Sequence, residues 1–175
     1  PRAPRRAADT VSRPLRVMLL TSAEYWRGSG LSYSKLARGL AERGHRVDVV
    51  VASEAVAAQY ERLGIPAHRL ALQRTGMREI MALRAIVRAS GTEVVIVDKP
   101  RDLRLAAWVS MMRPLRIVIR YNRTGSSNRS RFVDRWTARR ASAALYQSAY
   151  IRDKAHAELP MLAQLPTFVV PNGYD

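Results

Sequence analysis

Seven short apolar runs punctuate this chain, and they are continuous rather than alternating. They are Leu15–Leu20, Val47–Ala52, Ala67–Leu72, Val94–Val97, Leu115–Arg120, Ala143–Gln147 and Thr167–Val170. A strand that is apolar on both sides has to be covered on both faces. Helical stretches separate most of the runs, near 30–43, 54–63, 77–90, 101–112, 128–141 and 149–159. Strand and helix in repetition make parallel βαβ units, which put helices on both sides of one sheet. The expected fold is therefore α/β, with a parallel sheet of about seven strands. The 77–90 stretch carries the helical period openly. Ile80, Leu83 and Val87 form a stripe, with Arg78, Arg84 and Arg88 off it. Gly44 and Gly91 fall where helices should end.

The length of 175 residues suits one domain, and 47% apolar residues can fill a core. Residues 1–13 are Pro-, Arg- and Ala-rich without periodicity, which predicts a disordered basic arm. Residues 14–175 then form the domain. There is no cysteine, so disulfides and thiolate metal sites are excluded. No His, Asp and Glu spacing suggests a metal. No run reaches the roughly 20 apolar residues of a membrane span.

The formal net charge is +16, and only Lys35, Lys99 and Lys154 of the basic residues are lysine. A polyanionic partner is one reading of this charge, and an Arg- and Ala-rich genome is the other. Aromatic residues make up only 7%, and no RNA- or DNA-binding motif is present, so no specific nucleic acid is expected.

In open parallel sheets ligands sit outside the carboxyl ends of the strands. This directs attention to three segments. The first is the glycine stretch after the first run, with Arg27, Gly28, Ser29 and Gly30 at the start of a helix. Glycines let a backbone approach a ligand, and a helix N-terminus favours an anion. The stretch is no dinucleotide fingerprint, because Tyr33 stands where a third glycine belongs, and it is no P-loop.

The second segment is "VDKPRDLR", with Pro100 suited to a helix start. Lys99, Arg101 and Arg104 oppose the helix dipole there, at about 0.3–1 kcal/mol each when exposed. They make sense if an anion binds, with Asp102 beside it. The alternative is local neutralisation by Asp98 and Asp102 in a solvated cluster.

The third is the polar stretch after the fifth run, holding Asn122 and Arg123. Further on, Arg131, Arg135 and Arg139 recur every four residues, with Trp136 beside them. A basic face flanked by aromatics can lie on an anionic membrane, or its aromatics can be core. Trp108, Met111 and Met112 can extend that face. His45 sits at the amino end of a strand and is expected to be structural, capping backbone carbonyls. His68 and His156 receive the same reading.

The stretch "GSGLSYSKLARGLAERGHRVDVV" resembles the start of the GT-B glycosyltransferases of the large retaining family 4. Leu36, Ala37, Leu40, Arg43, Gly44, His45 and Val47 match that family's pattern. "ASAALYQSAYIRDKAH", with Ser148, and "FVVPNGYD", with Asn172 and Gly173, resemble two later family segments in the right order. The likeness covers about residues 15–175. It implies a Rossmann-like, acceptor-side N-terminal domain that ends at the hinge to a C-terminal domain.

The resemblance also implies sugar transfer from a nucleotide-sugar donor to an anionic glycan or glycolipid acceptor. The donor and its paired-glutamate motif belong to the C-terminal partner domain, no cofactor is implied, and the half-enzyme alone would be silent. Arg27, Gly28, Ser29, Gly30, Lys99, Arg101, Asp102, Asn122 and Arg123 would then line the acceptor site, and Ser148, Asn172 and Gly173 the hinge. Catalytic residues stay unassigned, because Tyr121 and Asn122 stand where the family often has a His. The implied place is the cytoplasm, peripheral on the inner face of the membrane. The competing reading is a non-catalytic Rossmann-like module that binds polyanion or membrane. A relative such as a nucleotide-sugar epimerase shares the resemblance.

Overall fold

A computed structural model of the protein describes residues 13–72, 75–121 and 131–171, with the side chains of 131–134 excepted. Most of the arm, Asn122, Arg123, the side chain of Arg131, Asn172 and Gly173 lie outside the described residues.

Seven parallel strands form one sheet in the order β3-β2-β1-β4-β5-β6-β7. The strands are β1 Arg16–Thr21, β2 Arg46–Val51, β3 Ala67–Arg69, β4 Val94–Val97, β5 Arg116–Tyr121, β6 Ala141–Tyr146 and β7 Thr167–Val169. The helices are α1 Gly28–Ala41, α2 Glu54–Arg62, α3 Met77–Ser90, α4 Pro100–Met112, α5 Arg131–Ala138 and α6 Ala149–Glu158. A 3₁₀ turn, Pro160–Gln164, leads into β7. The Rossmann-like α/β expectation is met.

The continuous apolar runs follow from this arrangement. Within β1, Met18 and Leu20 enter one core while Val17 and Leu19 enter the other. The first core takes Ile80, Leu83 and Val87 from α3 and Leu105 and Val109 from α4. The second takes Tyr33 and Ala37 from α1 and Val56 and Tyr60 from α2. Right-handed crossovers explain the division. From β1 the chain winds outward through β2 to β3, then returns to β4 on the other side of β1. The strand order reverses there, and helices α1 and α2 end up on the opposite face from α3 and α4.

Some boundaries differ from the sequence expectation. The helix expected over 128–141 is described only as Arg131–Ala138, because Ala141 already pairs with Ile117 in the sheet. The third strand stops at Arg69, although Leu70 and Leu72 are buried. Gly44 and Gly91 lie just past helix ends with φ of 84° and 66°, as expected of glycine there. His45 departs from its expected partner. Its Nδ1 accepts the Leu15 amide at 3.2 Å, so the backbone group it satisfies there is an N–H rather than a carbonyl. The position at the amino edge stands.

Candidate active-site crevice at the β1–β4 switch point

Each helix that follows a strand begins at the carboxyl edge of the sheet. The starts of α1 and α4 therefore share that edge, above β1 and β4. These two strands are neighbours, and the strand order reverses between them. Such a reversal opens a crevice in parallel sheets, the place where ligands bind.

The α1 side carries Arg27 as the exposed residue before the helix, with no side-chain cap and no acid in the first turn. Its guanidinium lies 5.4 Å from the Tyr25 ring centroid. Gly28 and Gly30 lie within the first turn of α1, at the helix start expected of them. They differ in purpose. A Cβ at Gly28 would meet nothing within 4 Å, so the backbone there is open. A Cβ at Gly30 would come 3.0 Å from Trp26, so that glycine makes room for an indole rather than a ligand. Trp26 in turn meets the Tyr60 ring edge-on, at 4.9 Å between centroids. Ser29 is half-buried.

The α4 side starts with half-exposed Lys99 before Pro100. Arg101 turns back to donate to the Leu72 carbonyl at 3.1 Å. Asp102 does not belong to a solvated cluster. It is fully buried, and its Oδ2 accepts the Ser22 amide at 3.0 Å. Asp98, the residue after β4, is buried too, with its carboxyl beside Thr21 and Asp102. The carboxyl pair with Thr21 and Ser22 forms the floor of the switch point.

Burial, then the charge of Asp98, pushes the Asp102 carboxyl up to about 7. Burial raises Asp98 as well. Arg120, at the end of β5, is buried, donates to the Ser32 hydroxyl and stacks 5.3 Å from the Tyr33 ring centroid. Burial first and Asp98 second hold the Tyr33 hydroxyl well above the ordinary phenol range. Desolvation does the same to Tyr60.

The sequence names Asp102 as an acceptor-site residue, with a solvated cluster as the alternative, but does not single out Thr21, Ser22, Tyr33 and Arg120 as site residues. One signal was available. Asp98 and Asp102 are four apart at a helix start, directly behind a fully apolar strand. That spacing puts both on one face, and Lys99, Arg101 and Arg104 fall between and beside them.

Ser148 caps α6 by accepting the Ile151 amide at 3.2 Å. Away from the crevice, Trp108, Met111 and Met112 on α4 are exposed, and Trp108 meets Trp136 of α5 at 5.0 Å. Arg135, Arg139 and Arg140 are exposed on and after α5, with Arg140 5.7 Å from the Trp136 centroid. A cavity of about 720 Å³ lies between the end of α5 and the 3₁₀ turn, lined by Arg135, Arg139, Glu158 and Met161 among others. Among the described residues no group of His, Cys, Asp and Glu could hold a metal, and no helix is long and apolar enough to cross a membrane.

Residues 27–173 match the family model of the glycosyl transferase 4-like domain. The chain belongs to this family. The match begins at Arg27, the residue before α1, and runs through the last strand. No curated protein matches the glycosyltransferase domain by sequence.

Solved structures share its fold at low identity. HepE from Anabaena, in complex with UDP, has a TM-score of 0.74 at 17% identity, over 92% of this chain and 45% of that one. A glycosyltransferase from Rickettsia africae gives 0.74 at 9%, over 94% and 44%. Sucrose-phosphate synthase from Thermosynechococcus elongatus gives 0.67 at 12%, over 92% and 49%. The glycosyltransferase domain thus spans less than half the length of each of these chains. Its sheet and helices are those of one Rossmann-like half of a GT-B glycosyltransferase.

Proposed function

We propose that this chain is the acceptor-side, N-terminal half of a retaining glycosyltransferase. The enzyme would move a sugar from a nucleotide-sugar donor onto an anionic glycan or glycolipid. The observation that carries this reading is the carboxyl edge of the sheet. There the uncapped start of α1, with exposed Arg27 and open Gly28, neighbours the start of α4, with Lys99. Two helix N-termini with basic side chains suit an anionic group of the acceptor.

Arg27 and Lys99 would hold that group, and Ser29 would donate to it. Arg101, bound to Leu72, would brace the α4 side. Asn122 and Arg123 are proposed as further acceptor contacts. Ser148, Asn172 and Gly173 would border the hinge to a C-terminal domain. UDP in the HepE structure supports a nucleotide-sugar donor, and the partial coverage of HepE supports donor binding by a second domain. In this reading the nucleotide-sugar is a substrate and no cofactor is needed.

The test is a transfer assay with a panel of nucleotide-sugar donors, UDP-glucose among them, and a panel of anionic glycan and glycolipid acceptors. It compares this 175-residue chain with the protein extended by its C-terminal domain. The extended protein is expected to transfer sugar with at least one donor of the nucleotide-sugar class, and the short chain is expected to be silent. Transfer by the short chain would sink the half-enzyme reading.

A second reading concerns location and rests on the exposed Trp108, Met111 and Met112 beside Arg135 and Arg139. This face would lie on the anionic inner surface of a cell membrane and bring a lipid-linked acceptor to the crevice. Arginine near such a surface contributes about 1 kcal/mol each. Replacing Arg135 and Arg139 by alanine together is expected to lower binding to phosphatidylglycerol vesicles about 30-fold. The contribution is screened by salt. Equal binding to neutral and anionic vesicles in sedimentation would count against it.

A further inference from the structure

The floor of the crevice carries chemistry that the acceptor reading does not use. Asp98 and Asp102 are almost wholly inaccessible, and each keeps its Oδ1 buried with no hydrogen-bond partner. No substrate reaches these atoms in this conformation. Asp98 and Asp102 nevertheless lie close together, four residues apart at the start of α4, and each acts on the other. Ionised carboxylates have acceptors only, so a bond between two of them needs a proton.

The groups facing the pair come from every element around it. Thr21 approaches from the end of β1, Ser22 from just after it and Tyr33 from α1, with Tyr60 of α2 and Arg120 of β5 nearby and Lys99 beside the pair. Arg120 is already engaged with Ser32 and the Tyr33 ring, and Lys99 is half exposed. These surroundings suit one negative charge on the pair better than two.

We propose that Asp98 and Asp102 share one proton, and that this proton positions the segment 22–27 that forms the α1 wall of the crevice. The link is direct, since Asp102 Oδ2 holds the amide of Ser22, the first residue of that segment. Asp102 is thus a positioning residue. It acts on Arg27 and the start of α1 through Ser22 and touches no substrate. When the proton leaves, a second charge appears at the switch point, and the seat of Ser22 changes with it.

The direction of the pH effect follows. The unfolded chain loses the proton around 3.8, the ordinary value, and the folded chain holds it up to about 7. The folded state therefore binds more protons across that window, and stability falls as pH rises through it. Above the window the loss is complete. Asparagine at 102 copies the protonated acid. Its amide oxygen can accept from Ser22, and its amide nitrogen can donate to Asp98.

The experiment follows carboxyl-carbon and Ser22 amide NMR shifts between about pH 4 and 8, together with urea unfolding, in the wild-type chain and Asp102→Asn. In the wild type, one carboxyl of the pair is expected to titrate near neutrality, with the Ser22 amide moving on the same curve. The unfolding midpoint is expected to fall over that window. Asp102→Asn should lose the near-neutral titration, the Ser22 response and the slope. A merely structural pair would leave the Ser22 amide unmoved. The proposal is overturned if both wild-type carboxyls titrate below about pH 5, if Ser22 does not follow, or if Asp102→Asn keeps the wild-type slope. Should the variant fail to fold, the wild-type titration alone decides. None of these readouts involves sugar transfer, so a failed transferase assay leaves the result intact.

Discussion

Alanine at Tyr60 is expected to remove about 3–5 kcal/mol of unfolding free energy, as large aromatic truncations in cores do. The ring is wholly buried in the α1–α2 core. It also supports the edge of Trp26, and its hydroxyl donates to the Gly30 carbonyl at 3.3 Å. The damage should therefore spread past the cavity to the segment that carries Arg27. Urea unfolding gives the energy, and hydrogen exchange over residues 22–30 gives the reach. Phenylalanine at the same place keeps the ring and loses one hydrogen bond, at about 0.5–1.5 kcal/mol. If the two variants lost the same stability, the hydroxyl rather than the ring would be the support.

Asp102→Ala is the second large effect, and its size depends on pH. It strips the Ser22 amide of its acceptor and Asp98 of its neighbour. A buried group left without a partner costs about 1–3 kcal/mol. Two such groups arise here, so a loss of about 3 kcal/mol is expected near pH 5, where the pair is protonated. Above neutrality the loss should shrink, because removing one carboxyl also removes charge repulsion from Asp98. Chemical unfolding at the two pH values checks this. A loss that grows with pH would mean that Asp102 is stabilising as an ion, contrary to its burial.

The sheet was readable because both of its faces are covered. Continuous runs such as Val94–Val97 are too short for a helix and bounded by turn and helix signals, which suits strands covered on both faces, and α3 showed its stripe of Ile80, Leu83 and Val87 directly. The pattern reports burial, however, and burial is not pairing. Leu70 and Leu72 are inside although β3 has ended, so the third run looked too long.

The crevice was only partly readable. Arg27, Gly28 and Lys99 fall where strand-end reasoning put them. The purpose of Gly30 was hidden, because a contact with Trp26 depends on how the chain turns between them. The carboxyl pair was hidden by its neighbours. Basic residues interleaved with Asp98 and Asp102 look like a solvated cluster until the helix start shows which way each side chain points. The Arg135 and Trp136 pattern was visible, but its continuation into Trp108 needed the packing of α4 on α5.

The order of the strands also bears on how the molecule comes together. β1 lies beside β2, which follows closely, and beside β4, which arrives much later in the chain. The Ser22 to Asp102 hydrogen bond closes across 80 residues. Contacts at such separation demand a large loss of chain entropy before they return anything, so they tend to form late. Neighbouring units such as β1–α1–β2 can gather first. The switch point exists only once the two halves of the sheet meet, and the proton between its aspartates is taken into the protein at that meeting.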